Sequence, residues 1–148
     1  MVTNVVNTIW YLNRNQEINM NRTIFITAAF LGMLSVILGA YGAHGLKQII
    51  STDLVQSFET GVKYQMYHAI MLLFLGSTAV LPYKIKRTVF ALTVLGIILF
   101  SGSIYGLATN EFTAFDFKKI ALMTPIGGTL LIASWTMLLV GFIKNKNQ

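Results

Sequence analysis

Two histidines, His44 and His68, are the side chains of this chain whose charge can change near neutral pH. His68 closes the run Lys63-Tyr64-Gln65-Met66-Tyr67-His68. Tyr64 and His68 stand one helical turn apart on a shared face, with Gln65 beside them. Two readings stay open: a ligand or proton site built on the imidazole, or a node of interhelical hydrogen bonds worth about 1 kcal/mol. No carboxylate or thiolate falls at ligand spacing from either histidine, so no metal site is predicted. No nucleophile motif accompanies them, so Ser/His/Asp chemistry is not indicated and the chain is not expected to be an enzyme. The absence of cysteine removes disulfides, thiolate ligands and a thiol nucleophile together, and no cofactor is predicted.

The elements that carry these residues are apolar. Of 148 residues, 55% are hydrophobic and only 11% are charged, less than half the share usual in a soluble domain. Four apolar runs, at residues 23–43, 62–81, 88–108 and 120–143, are each long enough to cross a bilayer core of about 30 Å. The fold class predicted is therefore an all-α integral membrane protein with four antiparallel transmembrane helices. Residues 20–148 form this single domain, and residues 1–19 form a polar N-terminal tail, disordered unless Met20 is the true start. Spans two and three are joined by a tight turn, residues 82–87.

In the connection after span one, Ser51-Thr52-Asp53 supplies oxygens suited to capping a helix start. Leu54, Phe58 and Val62 then recur at helical spacing opposite Gln56, Ser57 and Glu59. Residues 52–60 are predicted as a short amphipathic interfacial helix, or as an extension of span two. In the connection before span four, Phe112, Phe115 and Phe117 alternate with charges, as suits the headgroup zone.

Charge orients the spans. With the N-terminus inside, the inner segments hold Arg14, Arg22, Lys84, Lys86, Arg87, Lys144 and Lys146 against Glu17. The outer segments hold Lys47, Lys63, Lys118 and Lys119 against Asp53, Glu59, Glu111 and Asp116. The formal +6 thus sits inside, which predicts two cytoplasmic termini in the cell membrane. Basic residues flanking spans, with no basic stripe, argue for lipid and against nucleic acid as the partner. No acid lies within the spans, which argues against export driven through a membrane-embedded carboxylate.

Small residues mark where helices approach. Ser35, Gly39 and Ala43 form one stripe, Ala28 and Gly32 another, and Gly102 with Gly106 repeat the pattern in span three. Ser101 and Ser103 can bond across helices. Span four opens Met123-Thr124-Pro125-Ile126-Gly127-Gly128, read either as a helix start or as a kink with freed carbonyls. Alternating direction brings these motifs to the outer half of the membrane. The expected result is a polar node of His44, Tyr64, Gln65, His68, Ser101, Ser103, Tyr105 and Thr124, packed on Gly32, Ser35, Gly39, Ala43, Gly102, Gly106, Gly127 and Gly128.

Taken in order, residues 38–47, 60–68, 100–105 and 124–128 resemble the bacterial membrane family called domain of unknown function 423, similar to the eukaryotic transmembrane protein 256. The resemblance covers residues 20–142 and implies a compact four-helix membrane protein. It supplies no activity, substrate or cofactor. Ser134 before Trp135 departs from the Gly-Trp of that pattern, with an effect expected to stay within local packing. Two functional expectations follow: a structural or accessory membrane component, with a second copy or another membrane protein as partner, or a small-solute channel or carrier using Tyr64, Gln65 and His68.

Overall fold

The computed structural model describes the backbone of residues 2–144 and the side chains of residues 11–144. Lys146, counted above among the inner cations, lies outside the described residues. The described residues form four α-helices: α1 (Val2–His44), α2 (Thr52–Ser77), α3 (Tyr83–Ala108) and α4 (Met123–Lys144). Three segments are long and apolar enough to cross a membrane: residues 11–48, 83–108 and 117–144. Helix α2 is not among them, because its residues 53–68 include Asp53, Gln56, Glu59, Lys63, Gln65 and His68.

Residues 2–19 are helical, not a disordered tail. They continue α1 without a break. No Gly or Pro interrupts residues 2–31, and span one supplies the nucleus, so each added residue gains a hydrogen bond at little cost. Helix α1 is 43 residues long, which exceeds what a bilayer core requires.

A separate interfacial helix is absent from the described residues. After α1 the chain makes a single 3-10 turn, Leu46–Gln48, and α2 starts at Thr52. Ser51 caps it, its hydroxyl accepting from the Leu54 amide at 3.5 Å. Residues 52–60 are thus the first turns of α2. Its apolar face is set by Val55 and Phe58, both buried.

The turn between α2 and α3 also differs from expectation. Helix α2 stops at Ser77, whose hydroxyl bonds the Phe74 carbonyl at 2.9 Å, and the chain bends through residues 79–81 to Pro82. Lys84, Lys86 and Arg87 therefore lie on the first turns of α3. Pro125 stands in the first turn of α4, where its missing N–H breaks no helical bond.

The helices pack antiparallel in chain order, α1 on α2, α2 on α3 and α3 on α4. Register is fixed by small residues. On α1 the contact face is Ala28, Gly32, Ser35, Gly39 and Gly42; a Cβ added at Gly39 would meet Val62 at 3.5 Å and one at Gly42 would meet Phe58 at 3.2 Å. Ala43 is exposed, contrary to the stripe expected at four-residue steps. A strict four-residue step drifts about 40° per step around a helix, so alternating threes and fours hold the face.

Helices α3 and α4 approach most closely. A Cβ at Gly127 would fall on the backbone of Phe100 and within 2.8 Å of the Leu99 carbonyl carbon. Gly128 has ordinary contact with Phe100 at 3.6 Å, and Gly102 has nothing within 4 Å, so it is not a packing residue. Gly106 makes room for the Phe117 ring, which folds inward while Phe112 and Phe115 stay exposed. The main core, Ile24, Ala28, Met71, Leu72, Leu75, Leu81, Val89 and Leu138, lies toward the Pro82 end. A second cluster, Leu46, Phe58 and Ala108, closes the opposite end.

Candidate polar site

The polar side chains expected to gather in one node are distributed over separate helix interfaces. Gln65, 2% exposed, ties three helices together. Its Nε2 donates to the Leu31 carbonyl of α1 at 2.9 Å, and its Oε1 accepts from the Tyr105 hydroxyl of α3 at 3.1 Å. Both ends of the amide are thereby used. Ser101 donates to the Gly61 carbonyl at 2.9 Å, a second α2–α3 link, and Phe58 packs its ring on Tyr105 with centroids 4.8 Å apart.

His68 is buried at 4% exposure and held from both sides. Its Nδ1 lies 2.7 Å from the Tyr64 carbonyl, and its Nε2 lies 3.2 Å from Trp135 Nε1 on α4. An indole N–H can only donate, so Nε2 must accept and Nδ1 must carry the proton to Tyr64. The donors around it thus assign the neutral Nδ1–H tautomer. The imidazole has no bonding capacity left for a ligand in this arrangement.

Two hydroxyl pairs clamp α3 to α4. Ser103 donates to the Phe100 carbonyl at 3.0 Å, leaving Thr124 as donor in their 2.7 Å contact. The Thr93 and Ser134 hydroxyls lie 2.6 Å apart, and both reach the Val89 carbonyl, Thr93 at 2.8 Å and Ser134 at 3.4 Å. Ser134 thereby acts beyond local packing. It is the α4 half of an interhelical bond, 0% exposed.

Two expected members do not join. His44 is exposed at the end of α1 and takes part in none of these bonds. Tyr64 is 42% exposed; its ring packs on Phe100 with centroids 4.9 Å apart and stacks on the His68 ring at 6.3 Å, but its hydrogen bond to His68 runs through the backbone carbonyl and its hydroxyl does not enter the network. Sequence reasoning missed Trp135, Thr93 and the Leu31 carbonyl. The signal for Thr93 was its place as a single hydroxyl in an otherwise apolar run, facing Ser134 once α3 and α4 are antiparallel. Among the described residues, no three His, Asp or Glu side chains come together closely enough to hold a metal ion.

The profile of the family described as Protein of unknown function (DUF423) matches residues 38–128. The chain belongs to the DUF423 family. It is 38% identical over 128 residues to the UPF0382 membrane protein of Haemophilus influenzae, covering 86% of this chain and 99% of that relative. It is 37% identical over 125 residues to the UPF0382 membrane protein YwdK of Bacillus subtilis, covering 83% and 98%. It is 34% identical over 131 residues to the UPF0382 inner membrane protein YgdD of Escherichia coli K12, covering 86% and 95%. No solved structure matches the chain. The segment matched by the DUF423 profile contains Gln65, His68, Ser101, Ser103, Tyr105 and Thr124, whereas Ser134 and Trp135 lie beyond it.

Proposed function

We propose that this DUF423 member is a four-span cell-membrane protein, both termini cytoplasmic, acting as a non-catalytic structural or accessory component that presents a rigid face to a neighbouring membrane protein or a second copy. The observation that carries this is the closure of the polar network. Among the described residues, every buried side-chain nitrogen and oxygen has a hydrogen-bond partner within the chain. A carrier site needs unspent donors or acceptors facing its path, whereas His68 uses both ring nitrogens, on Tyr64 of its own helix and Trp135 of α4, and Gln65 uses its amide nitrogen and oxygen on α1 and α3. Satisfied polar groups inside lipid specify which helix faces meet, which suits a scaffold.

Helix α2 is assigned as the fourth span. Its polar residues Gln65 and His68 are buried between neighbours, and its 26 residues reach roughly 39 Å, enough for the hydrocarbon core. Inner-membrane naming of the Escherichia coli relative and the Lys/Arg bias support the location and orientation.

The function is tested with His68→Ala and Gln65→Leu in the native host. A scaffold loses its phenotype only as far as folded protein is lost. A variant that melts like the wild type yet loses the phenotype would replace this reading with the carrier one. Orientation is tested with single thiols at Lys84 and Asp116, both exposed; Lys86 is buried and unsuited to labelling. An impermeant reagent should label Asp116→Cys alone in intact cells, and labelling of Lys84→Cys alone would invert the topology.

A further inference from the structure

Lys86 is the single Lys, Arg, Asp or Glu buried among the described residues, at 6% exposure. Its Nζ donates to Asn21 Oδ1 at 3.1 Å, a neutral acceptor for one of three ammonium donors. Glu17, one turn before Asn21 on α1, lines the same cavity of about 120 Å³ without closing an ion pair with it. Next to that cavity a groove of about 910 Å³ opens between α1 and α3, lined by Gln16, Glu17, Tyr83, Lys84 and Arg87 and reaching Ala91.

The start of α3 lies in this groove and is electrostatically incomplete. Its N-cap is Pro82, which offers no side-chain acceptor, and its first turn holds no acid. Lys84, Lys86 and Arg87 instead place three cations at the positive end of the helix dipole. Glu17 offsets one of them. An oxyanion set against the first-turn amides would satisfy amides and cations together, and a guanidinium fork fits phosphate oxygens. The groove continues along α3 past Thr88 to Ala91, in the apolar run, so a chain attached to that oxyanion would lie against the span.

We propose that this groove binds the phosphate of an anionic phospholipid headgroup, with Lys84 and Arg87 as its contacts and Lys86 as a buried charge in the adjoining cavity. The proposal rests on the membrane placement of the bundle but not on its orientation. Binding measured in micelles is therefore separable from the thiol-labelling result.

The test uses the full chain purified in a neutral detergent, with phosphatidylglycerol, phosphatidylcholine or inorganic phosphate added in parallel. Native mass spectrometry should show retained phosphatidylglycerol, accompanied by a raised melting temperature, and no retained phosphatidylcholine. At about a kilocalorie per cation, the double variant Lys84→Gln/Arg87→Gln should bind phosphatidylglycerol roughly thirtyfold more weakly. Both residues are exposed, so this variant should fold, as circular dichroism would show. The opposite-end control Lys118→Gln/Lys119→Gln should stay within about twofold of wild type. Equal retention of phosphatidylcholine, or an equal loss in the control, would overturn the site. Full protection by inorganic phosphate with displacement of the lipid would overturn the lipid source and assign the pocket to a free phosphate.

Discussion

The indole of Trp135 donates to His68 Nε2 at 3.2 Å, joining α2 to α4, helices otherwise connected chiefly through α3. Because indole nitrogen cannot accept, this bond fixes which imidazole nitrogen holds the proton. A histidine that composition marks as a candidate for chemistry is thereby committed to holding helices together.

Trp135→Phe removes the donor while keeping most of the ring. It should lower stability by about 1 kcal/mol, as expected for one interhelical bond in a membrane protein. Nitrogen-15 NMR of the wild type should show a protonated Nδ1 and a bare Nε2. Observation of the opposite tautomer would remove the basis of the assignment.

Gln65 and Tyr105 should behave as a coupled pair. Gln65→Leu takes the amide acceptor from the Tyr105 hydroxyl, and Tyr105→Phe takes the donor from Gln65 Oε1, each at about 1–3 kcal/mol. The double variant should cost less than the two singles added together, by about 1 kcal/mol. Additive losses in chemical unfolding would mean that the 3.1 Å contact carries no energy.

The Thr93–Ser134 pair should be more forgiving. Ser134→Ala leaves the Thr93 hydroxyl still bonded to the Val89 carbonyl, so the loss should be about 0.5–1 kcal/mol. A larger loss, measured by the same unfolding, would show that the α4 hydroxyl positions the helix.

Two glycines of similar appearance should part company. Gly127→Ala puts a methyl group on the α3 backbone and should cost about 2–3 kcal/mol or separate the helices. Gly102→Ala meets open space and should be neutral or stabilise by up to about 1 kcal/mol through helix propensity. Comparable melting temperatures for the two variants would contradict the packing described.

Tyr64 and His44 show the limit of reading sites from spacing. Helical periodicity placed Tyr64 and His68 on one side, and they do stack at 6.3 Å, but the phenol of Tyr64 turns to the surface. Proximity to a helix end grouped His44 with the node, whereas the 3-10 turn that follows leaves it outside.

The sequence by itself determined the helical class, the apolar runs, the Ser51 cap and the identity of most buried polar residues. These depend on local propensity, length and hydropathy, which are properties of short stretches of chain. It also placed Gln65, His68, Ser101, Ser103, Tyr105 and Thr124 at the same end of the bundle, since antiparallel runs of similar length leave little freedom. Tertiary structure alone decided the partners: Trp135 for His68, Leu31 for Gln65, Thr93 for Ser134, and Asn21 for Lys86. Pairing requires the rotation and axial register of each helix against its neighbour. Those are set by which glycines let backbones approach, and an apolar helix gives little sequence signal of its own rotation because its lipid-facing and buried sides are both apolar.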